Sequence, residues 1–396
     1  MNQAPTASVA ATASAIDPNA VDICPVETAN DRKLFIRLAN DIYKDDPNYV
    51  APLEFEIGAR INSEKNPGLK GNPHQLWIAY KNGVPVGRIA AIVNHAHLAR
   101  HPDNAGHFGF FECVDDESVA KALLDTAADW LRAKGMTKIA GPFNFSVNEE
   151  IGMLVDGFDT PPYIMMPHGR DYYPRLVEQL GFTKAIDVVA FRYKPDGDLM
   201  PEKRKRFIDK ALSNPKVSFR TINMKDFKGD IQRVIDIFND AWFDNWGFVP
   251  FTKEQVEHMA DELRPIISPH NVVFCYYDGE PAAFGLVLPD LNHAIRDFGG
   301  KLLPFNWAKL IWRLKVKGVP RARMPLMGVV RKLHRRPIGT ALAYKIIEMT
   351  YDANTARGVN DSELSWILES NESMVAMLLD LGGEIYKTYR IYERAL

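Results

Sequence analysis

Cysteine is scarce in this sequence of 396 residues. The three cysteines, Cys24, Cys113 and Cys275, lie far apart and do not have the spacing of metal ligands. This distribution argues against a disulfide framework and a zinc site, and it favours a reducing cytoplasm. Because each cysteine stands beside apolar or aromatic residues, we predict that all three pack in the core and that no metal is bound.

Long apolar runs and an N-terminal targeting signal are also lacking. No apolar run in the sequence approaches the ~18 residues needed to span a bilayer. Residues 1–20 are rich in Ala, Ser and Thr, and the first basic residue is Arg32. Since a signal peptide needs a basic segment and a continuous apolar stretch, residues 1–20 are predicted to be a disordered tail. We expect a cytoplasmic protein, soluble or peripheral to a membrane.

Neither sign of charge is in excess over the whole chain. There are 48 Lys or Arg and 50 Asp or Glu, so the formal net charge is -2. This balance provides no argument for nucleic-acid binding, and no nucleic-acid partner is expected. The apolar content of 46% and charged content of 25% are typical of soluble globular proteins. The length exceeds that of a usual single domain, which favours two domains.

The same order of elements occurs in both halves of the chain. Apolar periodicity indicates strand, helix, hairpin, strand, helix, strand, helix and strand, twice over. Asn82-Gly83 and Asp278-Gly279 mark the two hairpin turns. We therefore predict a mixed α/β fold, a sheet with flanking helices, built as two similar domains in tandem. Residues 21–195 and 217–396 form the domains, and the charged segment 196–216 links them.

A basic stretch without acidic residues runs from Lys301 to Arg336 and contains eleven Lys or Arg. Its first part belongs to a segment, about residues 293–322, where the first half has far fewer residues between hairpin and strand, and we interpret it as an insertion. A helix here presents Leu303, Trp307, Leu310, Ile311 and Leu314 on one face, and Lys309, Arg313 and Lys317 on another. Either this helix contacts an anionic membrane, or its apolar face packs on its own domain while its cations are solvated.

The segment "RRPIGTALAYKIIEM" follows a predicted strand and begins a predicted helix. A helix N-terminus presents unpaired backbone N–H groups that favour an anion such as phosphate. Gly339 permits a close approach of the backbone, Ala341 is small, and Pro337 is tolerated in a first turn. Arg335 and Arg336 add charged donors. The alternative is an ordinary helix that begins with proline.

This motif resembles that of the GNAT acyltransferase superfamily, Gln/Arg-x-x-Gly-x-Gly/Ala between a strand and a helix. Arg336, Gly339 and Ala341 match it in the expected context, and the later segment "SWILESNESMVAMLLDLGG" carries Asn371 where the family often has Asn. The resemblance implies an acyl-CoA donor with its pyrophosphate over residues 336–341 and its thioester along "MPLMGVV". The implied acyl-CoA-binding residues are Val329, Val330, Arg331, Arg335, Arg336, Ile338, Gly339, Thr340, Ala341 and Asn371.

Two departures from the family pattern concern the catalytic acid and the first half. Many members carry a tyrosine seven residues after the Asn, but this sequence has Leu378. Tyr392, or else Tyr386 or Tyr389, is a candidate substitute, although strand tyrosines are commonly packing residues. The equivalent turn of the first half, "CVDDESVAKALL", is acidic and would repel phosphate. We therefore expect a degenerate N-terminal domain that has lost donor binding and helps to form the acceptor side.

Candidate acceptor residues come from three segments. In "GPFNFSVNEEIGMLVDGFD", Asn148 and Glu149, with Glu150, are candidates to hold or deprotonate an amine, or are simply solvated. His293 is a possible base or a surface histidine. In "FDNWGFVPF", the residues expected to contact substrate, or to cap the core, are Asp244, Asn245 and Trp246.

The same blocks and the basic insertion make the chain similar to bacterial ceramide synthase-like N-acyltransferases. That resemblance implies long-chain acylation of the amine of a sphingoid base, taken from a membrane. Acyl or aminoacyl transfer to a soluble amine, such as an amino sugar, peptide or amino acid, stays open. A non-catalytic acyl-CoA sensor is the further alternative, because the family's tyrosine is missing.

Overall fold

The computed structural model describes residues 20–194 and 199–396. Residues 1–19 of the predicted tail and residues 196–198 of the predicted linker lie outside the described residues. Among the described residues, none of the helices has both the length and the apolar character that crossing a bilayer requires.

The N-terminal half contains seven strands and five α-helices within its described residues. The strands are β1 (Val21–Pro25), β2 (His74–Lys81), β3 (Val84–Ile92), β4 (Ala105–Cys113), β5 (Lys138–Gly141), β6 (Met153–Asp156) and β7 (Thr183–Tyr193). The helices are α1 (Ala29–Ile42), α2 (Glu54–Arg60), α3 (His95–Arg100), α4 (Glu117–Ala133) and α5 (Tyr173–Gln179). Local chemistry sets several bounds: Thr28 and Asp31 form a capping box at α1, and Asn82 and Gly83 take the positive φ that the β2–β3 turn requires.

The second half of the described chain contains six strands and seven α-helices. The strands are β8 (Val217–Thr221), β9 (Val272–Tyr277), β10 (Glu280–Pro289), β11 (Arg321–Val329), β12 (Asp361–Leu368) and β13 (Glu384–Ala395). The helices are α6 (Glu202–Leu212), α7 (Phe227–Ala241), α8 (Lys253–Leu263), α9 (Leu291–Ile295), α10 (Asn306–Trp312), α11 (Pro337–Thr355) and α12 (Glu372–Asp380). This order of elements confirms the predicted mixed α/β fold, with a sheet flanked by helices.

The two halves exchange their last strands within one continuous sheet. Its path is β1-β2-β3-β4-β5-β13-β7-β12-β11-β10-β9-β8, and β6 pairs with β13 beside that path. Strand β13 therefore lies next to β5 of the first half, while β7 lies next to β12 of the second half. Because each half completes its sheet with a strand from the other, separating them would break both pairings. The boundaries 21–195 and 217–396 stay a prediction for the units of this fold.

Strands β11 and β12 separate part-way along their length. They pair in parallel from Arg321↔Asp361 to Met324↔Leu364, and the described ladder between them ends there. Beyond Met324, β11 stays bonded to β10 on its other side, with Gly285 opposite Met327. The divergence opens a wedge in the centre of the sheet, immediately before the N-terminus of α11.

The equivalent wedge in the N-terminal half is filled by the chain itself. Strands β4 and β5 pair only from Ala105↔Lys138 to His107↔Ala140. The chain after β5 then occupies the opening, where Phe143 N donates to Phe108 O at 2.7 Å and Asn144 Oδ1 accepts from Phe110 N at 2.7 Å. The same segment continues into residues 146–150, which project towards the C-terminal half.

Three sequence predictions are corrected by the structure. The predicted linker includes a helix, α6, whose Ile208 is buried in the same apolar cluster as Tyr344 of α11. Cys24, which was predicted to pack in the core, is exposed, whereas Cys113 and Cys275 are buried. The single amphipathic helix of the insertion is short, since α10 gives way to a π-helical turn at Arg313–Lys317.

Candidate active site

A cleft of about 1430 Å³ lies between the two halves. Its C-terminal wall is largely apolar and is formed by α7, α8, β10, β11 and β12. This wall includes Phe238, Trp242, Met259, Leu286, Leu326 and Trp366. Its N-terminal wall is polar, because α2 and the segment after the filled wedge contribute Glu56, Arg60, Asn148, Glu149 and Glu150. The cleft thus suits a molecule with an apolar body and a cationic or polar head.

Two adjacent carboxylates on the polar wall have different environments. Glu150 Oε1 lies 2.9 Å from Arg60 Nη1, and Asn144 Nδ2 donates to Glu150 Oε2 at 3.1 Å. Burial alone would raise the pKa of Glu150, but the charge of Arg60 outweighs it and keeps that pKa below its usual value. Glu150 therefore stays ionised and holds Arg60 in place.

Glu149 is the carboxylate that can exchange a proton near neutral pH. Its Oε2 atom is buried and has no hydrogen-bond partner among the described residues. Burial raises the pKa of Glu149 to about 7, although the guanidinium of Arg60 opposes the shift. Neighbouring carboxylates whose pKa values are separated in this way are typical of acid–base sites.

Asn148 joins the two halves beside these carboxylates. Its Nδ2 donates to Val249 O at 2.9 Å, and its backbone N–H donates to Ser146 Oγ at 3.1 Å. Because the side-chain amide spans the boundary, Asn148 fixes the distance between the polar wall and the segment after α7. We assign it a positioning role on this evidence.

A second pocket, of about 520 Å³, occupies the wedge between β11 and β12. Trp242, Pro325 and Trp366 line both this pocket and the cleft, so the two spaces adjoin at these residues. The two indole rings meet edge to face with centroids 5.3 Å apart, and Trp242 Nε1 donates to Met327 O at 3.1 Å. Rigid aromatic rings therefore frame the junction of the wedge pocket and the cleft.

The N-terminus of α11 follows directly after the wedge. Pro337 occupies its first turn, and the backbone N–H groups of Ile338 and Gly339 have no acceptor among the described residues. Arg335, Arg336 and Thr340 are exposed there. Free amides, aligned peptide dipoles and cations together form a site of the kind that binds a phosphate group.

Comparison with known proteins identifies two relatives of this chain along almost its whole length. No protein-family model matches it. It is 42% identical over 367 residues to Protein YghO of Escherichia coli (strain K12), covering 93% of each chain. It is 41% identical over 379 residues to a bacterial ceramide synthase of Caulobacter vibrioides (strain NA1000 / CB15N), covering 95% of this chain and 98% of that protein. The chain belongs to the family of these two proteins.

The family has the tandem GNAT fold. A tandem GNAT protein from the clavulanic acid biosynthesis pathway superposes with a TM-score of 0.56, covering 95% of this chain and 98% of that one at 14% sequence identity. The chain therefore has the tandem GNAT fold, and residues of both halves line the cleft. The expected resemblance to GNAT proteins and to bacterial ceramide synthases is confirmed.

The residues of the GNAT motif lie directly after the wedge, and the structure changes the interpretation of Gly339. A side chain at Gly339 would overlap the carbonyl oxygen of Leu333, so this glycine is required by the packing of its own turn. Ala341 is fully buried, whereas Val329 ends β11 and Val330 N donates to Ala282 O at 2.9 Å. Arg335 and Arg336 are exposed, whereas Gly339 is buried.

The remaining predicted donor and substrate residues divide between the wedge and the surface. Asn371 caps α12 by accepting from Met374 N at 3.2 Å, and it lines the wedge pocket together with Asn245. Arg331 lies 3.4 Å from Asp240 and 3.6 Å from Asp244, which is exposed. Trp246 is 37% exposed and lies outside the lining of both pockets, where Trp242 takes the place expected for it.

Tyr392 and His293 lie apart from this site. Tyr392 is buried in the core of the N-terminal half, and its hydroxyl donates to Glu178 Oε1 at 2.8 Å. Tyr386 donates to Glu363, whereas the Tyr389 hydroxyl is buried without a partner among the described residues. None of the three lines the cleft or the wedge pocket. His293 is a residue of the short helix α9 and likewise lines neither space.

Sequence reasoning missed Arg60, Trp242 and Trp366. Arg60 is at the end of α2, a short helix that the apolar pattern did not reveal. Trp366 lies in the quoted segment "SWILESNESMVAMLLDLGG", and its position just past Leu364, the last residue of β12 that pairs with β11, is visible only in the structure. In the structure, Trp366 lines both the cleft and the wedge pocket.

Proposed function

We propose that this protein transfers a long-chain acyl group from acyl-CoA to the amine of a lipid base of the sphingoid type. The observation that carries the proposal is the junction at Trp242 and Trp366, where the wedge pocket meets a cleft with an apolar wall and a proton-accepting carboxylate, Glu149. The name of the C. vibrioides relative, a ceramide synthase, supports the same class of acceptor.

The proposed binding site for the acyl-CoA donor is formed by the wedge and the N-terminus of α11. The pyrophosphate of acyl-CoA would lie at the free amides of Ile338 and Gly339, beside Arg335 and Arg336. The pantetheine arm would follow the wedge past Asn371 and reach the thioester position near Trp366. Beyond Met324, β11 has no strand partner on the wedge side among the described residues, and Met327 O accepts from Trp242 Nε1. The other backbone groups of this part of β11 are available to the donor and to the developing oxyanion.

The acceptor side explains why a carboxylate with a raised pKa is needed. An aliphatic amine is mostly protonated at neutral pH and must lose a proton before it can attack. Glu149 accepts that proton, directly or through a water molecule. The nitrogen then forms the C–N bond as the C–S bond breaks, and a second N–H proton ends on the leaving sulfur. The products are an amide and free CoA, and the rate depends strongly on holding both reactants in line.

An acceptor embedded in a membrane would explain why the insertion exposes large apolar side chains. Phe305 and Val316 are 79% and 73% exposed, and Leu303, Trp307, Ile311 and Trp312 are also exposed. Of the predicted apolar face, Leu310 packs in a small cluster with Leu53 and Phe298. Leu53 immediately precedes α2, which lines the cleft. The apolar surface therefore lies close to the cleft wall, as delivery from a lipid layer requires.

The cations of this surface favour an anionic bilayer. Lys309 and Arg313, two of the three cations on the predicted basic face, both pair with Asp297. Lys315 and Lys317 are exposed beside the aromatic residues, and Lys317 Nζ lies 5.9 Å from the centre of the Trp312 ring. Exposed apolar side chains with lysines at their margin are the pattern of interfacial membrane binding.

The proposal is tested with purified protein, palmitoyl-CoA and either sphinganine or 3-oxo-sphinganine. We expect release of free CoA together with an N-acylated product detected by mass spectrometry. Acylation of glucosamine, peptides or amino acids, but of neither lipid base, would replace the proposed acceptor by a soluble amine. Binding of acyl-CoA without acylation of any of these amines would favour a sensor.

A further inference from the structure

A separate apolar cavity lies on the helix side of the sheet, below the point where β11 and β12 diverge. It is enclosed by the paired part of these strands, by α11 and α12, and by β7 from the other half of the chain. Its apolar lining includes Phe191, Val287, Ala322, Ile347, Leu378 and Leu381. Neither the GNAT motif nor the acceptor cleft accounts for this space.

The cavity adjoins the wedge pocket at three residues, which we call the neck. Met324, Leu364 and Leu378 line both spaces. Met324 and Leu364 are also direct partners in the ladder, and the pair below them on the same face is Ala322 and Ser362. The ladder therefore provides two successive rungs, with Met324/Leu364 at the neck and Ala322/Ser362 deeper in the cavity.

Three polar side chains of residues that line the cavity are already engaged by the protein. Thr350 Oγ1 donates to Ile346 O at 2.8 Å, and Asn354 Nδ2 donates to Thr350 O at 2.7 Å. The Glu363 carboxylate accepts hydrogen bonds from Ser365 and Tyr386. With these groups engaged by the protein, the cavity has apolar surface to offer a ligand, which selects a hydrocarbon over a polar group.

We propose that this cavity binds the hydrocarbon tail of the acyl donor and sets the preferred chain length. The inference rests on the proposed function, since it requires an acyl-CoA donor in the wedge. A tail entering past Met324 and Leu364 would run away from the acceptor cleft, so the acyl chain and the lipid base occupy separate spaces. The exchanged strand β7 supplies Phe191, which makes both halves of the chain part of the donor site.

The test narrows the cavity at its second rung. Ala322→Leu and Ser362→Leu each add side-chain volume below the neck. Because Ser362 is only partly buried, Ser362→Leu still tests the proposal if Ala322→Leu fails to fold. Ala356→Leu, at the exposed C-terminal end of α11, is the matched control. Binding of CoA, butyryl-CoA, octanoyl-CoA and palmitoyl-CoA is measured for each protein, followed by the rate of amine acylation with each donor.

We expect wild-type protein and Ala356→Leu to bind palmitoyl-CoA more tightly than butyryl-CoA. Each cavity variant should lose about fourfold in palmitoyl-CoA affinity for every methylene displaced, or roughly tenfold or more in total. Its affinity for butyryl-CoA should equal that of wild-type protein. Equal loss for all chain lengths, or an unchanged profile in both folded variants, would overturn the cavity assignment alone. Failure of wild-type protein to bind any acyl-CoA would overturn the proposed function and the cavity assignment together.

Discussion

Arg60 Nη1 lies 2.9 Å from Glu150 Oε1, and this ion pair assigns different tasks to two adjacent carboxylates. Glu150 is held ionised by the guanidinium, whereas the Oε2 atom of its neighbour Glu149 is buried without a partner among the described residues. The pair also joins α2 to the segment that fills the N-terminal wedge. In the proposed mechanism, the N-terminal half contributes the acid–base chemistry and the C-terminal half contributes the donor site.

Replacing Glu149 by Gln should reduce kcat by about 100-fold or more while acyl-CoA affinity is unchanged. The amide occupies the same space but accepts no proton from the amine. In wild-type protein, kcat/KM should rise with pH through about 7 as the carboxyl ionises, and this limb should be absent from the variant. A variant with wild-type kcat would remove Glu149 from the mechanism.

The raised pKa of Glu149 also makes a prediction about stability. The folded protein holds the Glu149 proton up to about pH 7, whereas an unfolded glutamate releases it near 4.5. The contribution of Glu149 to the free energy of unfolding is therefore fully present below pH 4.5 and is lost as pH rises through 7. The Tm of Glu149→Gln relative to wild type should increase from pH 5 to pH 8, and a difference independent of pH would contradict the raised pKa.

Local features of the fold were predictable, and long-range ones were not. The hairpin at Asn82-Gly83 and the turn at Arg336–Ala341 depend on neighbouring residues, so their patterns are visible in the sequence. The approach of Arg60 to Glu150 joins residues 90 positions apart, and the exchange of β7 and β13 joins opposite halves of the chain. Such contacts depend on packing of the whole sheet, which apolar periodicity does not encode.

Contacts between residues close in the sequence can also be invisible to sequence analysis, as two cases show. Trp242 and Trp246 lie in one segment, but α7 ends at Ala241, and this end point directs Trp242 into the cleft and Trp246 to the surface. Gly339 was correctly located in the motif, yet its contact with the Leu333 carbonyl is visible only in three dimensions. Substituting Gly339 would disturb the turn itself, so it is a poor probe of phosphate binding.

Charge reversal at Arg336 is the better test of the donor site. Arg336→Glu places a carboxylate beside the free amides of α11 and should weaken CoA binding by about tenfold or more, with Tm unchanged because the side chain is exposed. Arg357→Glu, just beyond the opposite end of α11, is the matched control. The wild-type affinity should fall as salt is raised, and equal CoA affinity for wild type and Arg336→Glu would place the pyrophosphate elsewhere.

The junction of the two pockets should be sensitive to Trp242. Trp242→Ala removes an aromatic wall of the junction and the hydrogen bond to Met327 O. We expect a lower kcat and a higher KM for the amine, because the acceptor is no longer held in line with the thioester. Trp246→Ala, on the surface in the same segment, should keep wild-type values. Equal effects of the two substitutions would contradict the assignment of Trp242 to the junction.

Membrane contact should depend on the apolar residues of the insertion. Val316→Asp and Trp312→Asp place charges on exposed positions, so their Tm should match that of wild type, while co-sedimentation with vesicles containing phosphatidylglycerol should be largely lost. Phe207→Asp, on the exposed face of α6, is the control. Activity towards the lipid base should fall on vesicles yet persist in detergent micelles, because the catalytic cleft is intact.

The contribution of charge to this contact is tested at Lys315 and Lys317. Lys309 and Arg313 are unsuitable, since both neutralise Asp297 and their reversal would disturb the fold of the insertion. Lys315→Glu with Lys317→Glu should weaken binding to anionic vesicles by roughly tenfold or more and leave binding to neutral vesicles unchanged, because each lysine near an anionic surface contributes about 1 kcal/mol. If the double variant binds anionic vesicles as wild type does, the lysines take no part in the contact and the apolar side chains alone account for it.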